Sequence, residues 1–563
     1  MIDDTVNQGY EQRADYIENS EIVKWNAQNK LQENIQDKLL QRGAKVLIGP
    51  RGAGKTHNMK MAHIACQKDN AKPFSVYVSF ARYLRVEQFK IKASNAISIF
   101  HSWVLSRILE GIHESLEYSG LSLSDVGVEI DLSILRKYRS DIEKGDFKEE
   151  YNDLIDNINI DLVSGALEKA YTACGRKRCI VLCDDAALVL ARDFMVEFFD
   201  IFRSLKSSRV SPKASAYPLT DFGPRFHLNH DAEPVECWIG VEHPSYEDFF
   251  KKIFEKRFVE NQFDEYVSAF SYAAFGIPRT FISLVLEFYQ DVESSRSKQS
   301  LFNKIIKDRS EFIKAEYSSL SSKMPHYKKF VEAGAELSDK IVELVAEENK
   351  KAYTDNGEKQ IYVGIEFGDC APAEEKIISL LKETGLVYEN AAVSHGKGRI
   401  YRRFMPHICL LIDAKAFQIG KGSSVKNITE IFQAGNVKHP VRRRFSSLLE
   451  REVGDITIDL PGCPVCGTER VMENQRFCMS CGAELKSISL YKELLSLPID
   501  KLPFTKWQKT KIKEETDFKT AGDIAISDNV AGVIRKIKGF GPARTHFVIE
   551  SVKEPLNNSV LFS

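Results

Sequence analysis

The stretch GPRGAGKT, residues 49–56, constrains the fold more than any other part of this 563-residue chain. It matches the G-x-x-x-x-G-K-[ST] pattern of a phosphate-binding loop. The apolar residues 44–48 precede it as a short strand, and residues 57–66 follow as a helix without proline or glycine. Glycine lets backbone N–H groups turn towards an anion, and the N-terminus of the following helix adds its positive dipole. The sequence therefore predicts a nucleotide site between this strand and this helix.

The loop assigns roles to individual residues. Lys55 is expected to reach the β- and γ-phosphates of ATP, and the Thr56 hydroxyl is expected to ligate Mg²⁺. The residues predicted to bind the nucleotide are Gly49, Pro50, Arg51, Gly52, Ala53, Gly54, Lys55, Thr56, His57 and Asp184.

A second motif lies at the end of an apolar strand predicted over residues 179–183. Asp184 and Asp185 follow this strand, which is the Walker B pattern, and a parallel sheet keeps its ligands at the carboxyl ends of its strands. Asp184 is expected to hold Mg²⁺ through water, and Asp185 to polarise the attacking water. Because Asp is one methylene shorter than the Glu common at this place, the sequence predicts slow hydrolysis.

Further strands are predicted at residues 73–80, 213–217 and 235–241, with a long helical insertion at about residues 87–171. A polar sensor of the γ-phosphate is expected after the fourth strand, where Tyr217, Thr220 and Asp221 are alternatives. Pro278 is suited to start a helix, which places Arg279 in its first turn. A cation there needs a partner, which is either the γ-phosphate or a nearby glutamate.

The order of these motifs resembles the AAA+ ATPases of the origin-recognition (initiator) type, over roughly residues 20–350. The resemblance implies a P-loop α/β core with a parallel sheet and a helical lid. It implies that Arg279 is the second sensor of that lid. It also implies that Arg225, in the Pro-Arg-Phe of residues 224–226, acts on the nucleotide of a neighbouring subunit in a homo-oligomer. A STAND-type signalling ATPase shares much of this core and is an alternative.

Residues 356–417 are predicted to form a winged helix, which initiator-type ATPases carry after the lid. A helix over residues 372–384 precedes a hairpin whose tip lies at residues 395–398. The basic residues of this hairpin are Lys397, Arg399, Arg402 and Arg403. They favour DNA contacts, and the alternative is a solvated basic strand edge.

Two C-x₂-C pairs, each followed by glycine, resemble a zinc ribbon. Four thiolates make a closed tetrahedral Zn²⁺ site, which is structural rather than catalytic. The predicted ligands are Cys463, Cys466, Cys478 and Cys481. Ribbons of this kind bind nucleic acids or proteins, and the sequence leaves both open.

The tail contains an h-x-G-h-G hairpin at residues 537–541, typical of a helix-hairpin-helix unit. It resembles the C-terminal domain of the RNA polymerase α subunit, which is a small all-α DNA-binding fold. The resemblance implies phosphate contacts by Lys538, Gly539, Gly541 and Arg544. A helical protein-docking module is the alternative.

Composition limits the remaining choices. With 78 basic and 79 acidic residues, any affinity for nucleic acid must come from local patches. No apolar run is long enough to span a membrane, residues 1–4 do not begin a signal peptide, and most of the eleven cysteines are scattered. These features favour a cytoplasmic protein with reduced thiols.

The sequence thus predicts six segments. They are a P-loop domain (1–260), a helical lid (261–355), a winged helix (356–417), a linker with a basic run (418–458), a zinc ribbon (459–486) and a helix-hairpin-helix domain (487–563). The predicted function is a slow ATPase switch that assembles on or remodels DNA or a DNA-associated complex, with an effector protein as a further partner. The architecture suggests bacterial anti-phage or mobile-element biology. The alternative from another class is a transcriptional or scaffold protein that uses ATP as a structural ligand.

Overall fold

The structure is a computed structural model. It describes residues 17–27, 29–81, 86, 89, 95–186, 192–218, 220, 222–258, 261–293, 295, 297–323, 327–368, 371–396, 399–418, 424–437, 440–456, 463, 465–468, 477–483, 496–526, 530–540, 544–545, 547–549 and 551–552.

A parallel sheet with the strand order β2-β3-β4-β1-β5 organises the N-terminal half. Its strands are β1 (Lys45–Ile48), β2 (Phe74–Ser79), β3 (Cys179–Asp184), β4 (Val210–Ala216) and β5 (Glu233–Glu236). Strand β1 lies between β4 and β5, so that Val46 is opposite Ala214 on one side and Pro234 on the other. Strands β1, β3 and β4 are buried along their whole length, as expected for a sheet covered on both faces. The predicted parallel α/β core is confirmed.

Helices surround this sheet and fill the region predicted as an insertion. They are α1 (Asn19–Lys24), α2 (Lys30–Leu40), α3 (Lys55–Lys68), α4 (Ala96–Glu117), α5 (Leu132–Lys144), α6 (Asn152–Asn157), α7 (Ile160–Ala173) and α8 (Arg192–Ser204). Helix α4 lies directly on β2, because a Cβ at Gly111 would be 2.9 Å from the side chains of Val76 and Val78. The insertion is therefore packed onto the sheet at the edge strand β2.

Six helices follow the sheet. They are α9 (Tyr246–Arg257), α10 (Glu265–Ala273), α11 (Pro278–Asp291), α12 (Lys298–Ser318), α13 (Leu320–Lys323) and α14 (Lys328–Asn356). Their core is rich in aromatic rings, among them Phe250 and Phe281, whose ring centroids are 5.0 Å apart.

A second sheet has the strand order β7-β8-β6-β9. The elements of this part are β6 (Val363–Glu366), α15 (Ala371–Glu383), β7 (Val387–Ser394), β8 (Ile400–Pro406), α16 (Ile408–Asp413), α17 (Val425–Gln433) and β9 (Val441–Arg444). Strand β6 runs antiparallel to β8 and parallel to β9. Helix α17 and strand β9 come from residues 418–458, where the sequence suggested a linker.

The second sheet and the six helices share one hydrophobic core. The ring of Tyr272 on α10 stacks on Phe432 of α17, with centroids 4.1 Å apart. Residues 425–433 therefore pack against the helices predicted as a lid.

The described part of the tail has a small core of its own. Its helices are α18 (Lys506–Glu515), α19 (Ala521–Ile526) and α20 (Val530–Arg535). Within the described residues, no helix is long and apolar enough to cross a membrane.

Candidate nucleotide site and candidate metal centre

The predicted phosphate-binding loop joins the carboxyl end of β1 to the first turn of α3. Gly52 and Gly54 adopt left-handed φ angles of 82° and 91°, which glycine reaches without strain. A Cβ at Gly52 would lie 2.7 Å from the Cβ of Arg279. Glycine at this position therefore permits the close approach of α11 to the loop.

Lys55 is buried and folds back over its own loop. Its Nζ donates hydrogen bonds to the carbonyl oxygens of Gly49 at 2.6 Å and Pro50 at 3.1 Å. Burial lowers the pKa of Lys55 to about 8, and the carboxylates of Asp184 and Asp185 act in the opposite direction. A phosphate in the loop would add negative charge beside this ammonium group and raise its pKa again. Thr56 follows Lys55 in the first turn of α3.

Asp184 ends β3 with its side chain almost fully buried. Its Oδ2 accepts a hydrogen bond of 2.9 Å from the hydroxyl of Tyr77 on the neighbouring strand β2. This bond fixes the carboxylate at the carboxyl edge of the sheet, where it faces the loop that carries Lys55. A carboxylate oriented in this way suits a Mg²⁺ ion held through water.

Asp185 adopts a left-handed backbone with φ of 54°. Aspartate tolerates this conformation better than most residues do. The backbone N–H of Asp185 donates to the hydroxyl of Ser215 at 2.8 Å, and Ser79 donates to its Oδ2 at 3.4 Å. Strands β2 and β4 thus hold Asp185 from both sides.

The helical insertion also contacts the end of β2, next to Asp185. Arg107 on α4 donates to the carbonyl oxygen of Ser79. Its guanidinium also lies near Glu110 and Glu143, at 3.7 and 3.9 Å. Ser79, which contacts Asp185, is therefore supported from α4.

Tyr217 follows β4 and lies against the loop, at the place where the sequence offered three sensor residues. Its ring centroid is 4.3 Å from Nζ of Lys55 and 5.7 Å from the guanidinium carbon of Arg51. The hydroxyl of Thr220 accepts a 3.0 Å hydrogen bond from the backbone N–H of Tyr217. Asp221, the third alternative, lies outside the described residues. Tyr217 thus lies against the loop, and Thr220 supports the turn that carries it.

Arg279 occupies the first turn of α11, directly after Pro278. Its backbone N–H is 3.4 Å from the carbonyl oxygen of Gly52. The preceding Gly276 has φ of 79°, and a Cβ there would lie 2.1 Å from the carbonyl oxygen of Ile239. This tight junction places Arg279 beside the phosphate-binding loop.

His57 faces the N-terminal segment. Its Nε2 lies 3.0 Å from Oδ1 of Asn26, and the Trp25 ring next to it lies 4.6 Å from the guanidinium carbon of Arg257. Burial lowers the pKa of His57 to about 4, with a smaller contribution from Arg257. The imidazole is therefore neutral at pH 7 and joins α3 to residues 25–26.

Arg225 lies on the surface and is paired within its own chain. Its guanidinium contacts Glu197 at 3.0 Å and Asp200 at 2.8 Å, both on α8. Its carbonyl oxygen accepts a 3.0 Å hydrogen bond from Arg203. Any action on a neighbouring nucleotide requires the two ion pairs to break.

The four predicted zinc ligands come together. Their Sγ atoms all lie within 4.8 Å of one another, with 3.5 Å between Cys463 and Cys481 and between Cys466 and Cys478. Tetrahedral bonds of about 2.3 Å to zinc would separate the sulfurs by about 3.8 Å.

The two turns that hold these thiols have matching hydrogen bonds. Gly467 N–H donates to the Cys463 carbonyl at 2.8 Å, and Gly482 N–H donates to that of Cys478 at 3.0 Å. Both glycines are left-handed. This donor set and geometry fit Zn²⁺.

The predicted DNA-contacting residues of the β7–β8 hairpin have different surroundings. Arg399 is exposed, whereas Arg402 forms ion pairs with Glu389 and Glu375. Arg403 donates to the carbonyl oxygen of Ala391 at 2.6 Å. Lys397 lies outside the described residues.

In the tail, Lys538 and Gly539 are exposed at the predicted hairpin. Arg544 donates to the carbonyl oxygen of Gly539 at 2.8 Å and lies over the ring of Trp507. The ring of Trp507 also stacks on Phe540, with centroids 5.2 Å apart. Gly541 lies outside the described residues.

Four residues that contact the candidate site residues were absent from the sequence predictions: Asn26, Tyr77, Ser79 and Ser215. The last three are polar residues near the carboxyl ends of buried strands, which is the signal that could have identified them.

The chain matches no family model and no curated protein. Among solved structures, it is similar to the Walker-type ATPase PABY2304 of Pyrococcus abyssi, at 13% identity and a TM-score of 0.38, over 69% of this chain and 95% of that one. It is also similar to the Orc1 protein of Aeropyrum pernix, solved in complex with DNA, at 14% identity and a TM-score of 0.30, over 70% and 93%. At TM-scores below 0.5, neither similarity bears on the function of this chain.

Proposed function

We propose that this chain is an ATP-binding switch that hydrolyses ATP slowly and assembles on, or remodels, DNA or a DNA-associated complex. One observation supports this most strongly. Asp184 and Arg279, which are far away in sequence, both lie beside the loop at residues 49–56 that carries Lys55.

Each side chain has a distinct task in this proposal. Lys55 exchanges the carbonyl oxygens of Gly49 and Pro50 for phosphate oxygens. Thr56 and Asp184 hold Mg²⁺, which would neutralise the phosphate charge. Asp185 orients the attacking water, and Arg279 detects the γ-phosphate from α11.

Slow turnover follows from the side chain at residue 185. Its carboxylate is one methylene shorter than that of glutamate, and its backbone is held by Ser215. The site therefore has little freedom to bring this carboxylate closer to a water molecule.

In this proposal, ATP acts because its γ-phosphate makes a contact that ADP cannot make. Arg279 belongs to α11, so a γ-phosphate that binds it would fix the helices after residue 246 against the sheet. Such a contact shifts the population of conformations only because ADP lacks it. In our proposal ATP favours a homo-oligomer, in which Arg225 leaves Glu197 and Asp200 to reach the neighbouring site.

The test is phosphate release by the intact chain with and without DNA, compared with Lys55→Ala. We expect DNA-stimulated turnover in the parent chain and loss of nucleotide binding in Lys55→Ala. Lys68→Ala, at the exposed far end of the same helix, is the matched control and should behave as the parent chain does. Tight nucleotide binding without turnover, together with no salt-dependent affinity for DNA, would contradict the proposal.

A further inference from the structure

Three arginines lie on one face of the second sheet, two of them on the strand β9. Gly364 on β6 pairs with Arg403 on β8 and with Arg442 on β9. Side chains of directly paired residues point to the same face of a sheet. Arg444, two residues further along β9, points to that face as well.

The contacts agree with this register. The guanidinium carbon of Arg403 lies 5.2 Å from the ring centroid of Tyr362, and that of Arg442 lies 5.8 Å from the ring of Tyr401. Both tyrosines are buried. Their rings therefore form a floor beneath the guanidinium groups and are covered by them.

Gly364 leaves the middle of this face flat. A Cβ there would lie 3.2 Å from the Cβ of Tyr401 and 3.4 Å from Cγ of Arg442. Two neighbouring strand spacings separate β8 from β9 by about 10 Å. The side chains of Tyr401 and Arg442 thus lie close over the backbone of Gly364, and the strands that carry Arg403 and Arg442 stand on either side of it.

Two carboxylates lie near these arginines. Glu242 accepts a 2.6 Å hydrogen bond from the hydroxyl of Tyr362, the ring over which Arg403 lies. Glu366 lies 3.9 Å from Arg444, which is highly exposed. Arg403 donates to a carbonyl oxygen rather than to a carboxylate. Within the part of the chain that the structure describes, Arg442 makes no ion pair.

The opposite face of the same strands is different. Ile365 pairs with Arg402 and Arg443, so these two arginines point to the same face as the fully buried Ile365. Arg402 is held by Glu389 and Glu375. Adjacent arginines on β9 therefore have different surroundings, which provides a control within the chain.

We propose that Arg403, Arg442 and Arg444, here called the arginine face, bind the phosphodiester backbone of a nucleic acid. The proposal rests on the proposed function and adds to it a surface that includes β9. Guanidinium groups suit phosphate oxygens because they donate several hydrogen bonds in a fixed plane. Because the tyrosine rings are covered, bases cannot stack on them, and the surface reads the backbone without sequence preference.

The experiment measures binding of the intact chain to fluorescent oligonucleotides by anisotropy, from roughly 50 to 200 mM salt. A mixed-sequence duplex and one of its single strands are tested separately, so that binding to a double-stranded backbone is distinguished from binding to a single-stranded one. Arg442→Gln is compared with Arg443→Gln, which makes the same charge change one residue away. Arg442→Lys keeps the charge, and urea midpoints show whether each variant is folded.

We expect Arg442→Gln to weaken binding about fivefold to tenfold and to lower the slope of log affinity against log salt by about 0.9. Arg443→Gln should stay within about twofold of the parent chain, and Arg442→Lys should recover most of the slope. Equal effects of Arg442→Gln and Arg443→Gln, or an unchanged salt slope in Arg442→Gln, would overturn the arginine face. ATP binding that depends on Lys55 would leave the nucleotide site of the proposed function intact in either case. A parent chain that binds neither oligonucleotide would overturn the DNA part of the proposed function together with this surface.

Discussion

The candidate nucleotide site and the cysteine cluster are assembled in opposite ways. The four cysteines lie within one short segment, and two similar turns bring their thiols together. The nucleotide site draws Lys55, Asp184 and Arg279 from distant segments, through a buried parallel sheet and the junction with α11. A local site of this size depends on its ligand for order, whereas a distributed site is ordered by the fold before any ligand binds.

This difference predicts how each site responds to loss of its ligand. The two sites should fail independently, because a metal bound by the four cysteines would stabilise only the segment that carries them, while the sheet holds the residues of the candidate nucleotide site.

Removal of zinc should unfold the ribbon and leave the nucleotide site in place. Metal binding supplies on the order of 10–16 kcal/mol in small zinc modules, which is more than such a segment gains from its own packing. Cys478→Ser should therefore lose bound zinc and become open to protease between residues 463 and 483, with ATP affinity unchanged. Zinc content, limited proteolysis and nucleotide titration measure the three quantities.

Cys174→Ser is the matched control, since this cysteine lies outside the cluster. It should retain zinc and resist the protease. Full zinc occupancy in Cys478→Ser, or a loss of ATP affinity in that variant, would contradict the separation of the two sites.

Gly276→Ala should disrupt the nucleotide site through the fold alone. A Cβ there would lie 2.1 Å from the carbonyl oxygen of Ile239, and the left-handed φ adds further strain. We expect a loss of about 3 kcal/mol of unfolding free energy and a weaker nucleotide complex. The midpoint of urea unfolding, monitored by tryptophan fluorescence, measures the stability.

Gly357→Ala gives the comparison. Gly357 is also left-handed, with φ of 65°, but a Cβ there has no atom within 4 Å. Gly357→Ala should lower the free energy of unfolding by about 1 kcal/mol and leave nucleotide binding unchanged. If the two variants were equally stable, the junction between Gly276 and Ile239 would not be the tight contact described.

Much of both sites could be predicted from sequence because their signals are local. The spacing within residues 49–56 is what phosphate binding requires, and the spacing of the two cysteine pairs is what binding of one metal ion requires. Tyr77, Ser79 and Ser215 were missed although each is a polar residue near the carboxyl end of a strand. Their contacts with Asp184 and Asp185 depend on how β2, β3 and β4 align side by side.

Strand β9 was not predicted from the sequence for the same reason. Residues 441–444 read Val-Arg-Arg-Arg, which is short and charged, and no local pattern indicates a strand. Its order comes from pairing with β6, far away in sequence. Tyr217 was one of three alternatives, and the sequence could not show that its ring lies beside Lys55.

A smaller effect is expected from pH, through the buried His407. Its Nδ1 accepts a 3.1 Å hydrogen bond from the N–H of Cys409 at the start of α16, and its ring lies against Phe275. Burial lowers the pKa of His407 to about 3, with a smaller contribution from Arg309.

The unfolded chain therefore binds a proton at this histidine at a higher pH than the folded chain does. Stability is fully present above about pH 6.5 and falls as the pH drops towards 3, by about 1.4 kcal/mol per unit. Between pH 7.5 and 5 this amounts to about 2 kcal/mol. His57 and His63, with pKa values lowered to about 4 by burial, add to the same trend.

His407→Asn keeps an acceptor for the N–H of Cys409 but cannot titrate. Its urea midpoint should fall less steeply than that of the parent chain between pH 6.5 and 5. Identical pH profiles would show that His407 is not the buried neutral group described here.

In the proposed function, segments that are distant in sequence contact one nucleotide, and Arg279 is the residue whose replacement should separate ATP from ADP. Calorimetric titration of the intact chain with ATP and with ADP, in Mg²⁺, is compared with Arg279→Gln. Loss of a charge-assisted hydrogen bond to the γ-phosphate should weaken ATP binding about tenfold to a hundredfold, while ADP binding stays unchanged. Equal effects on ATP and ADP, or no effect on either, would show that Arg279 does not detect the γ-phosphate and would contradict the account.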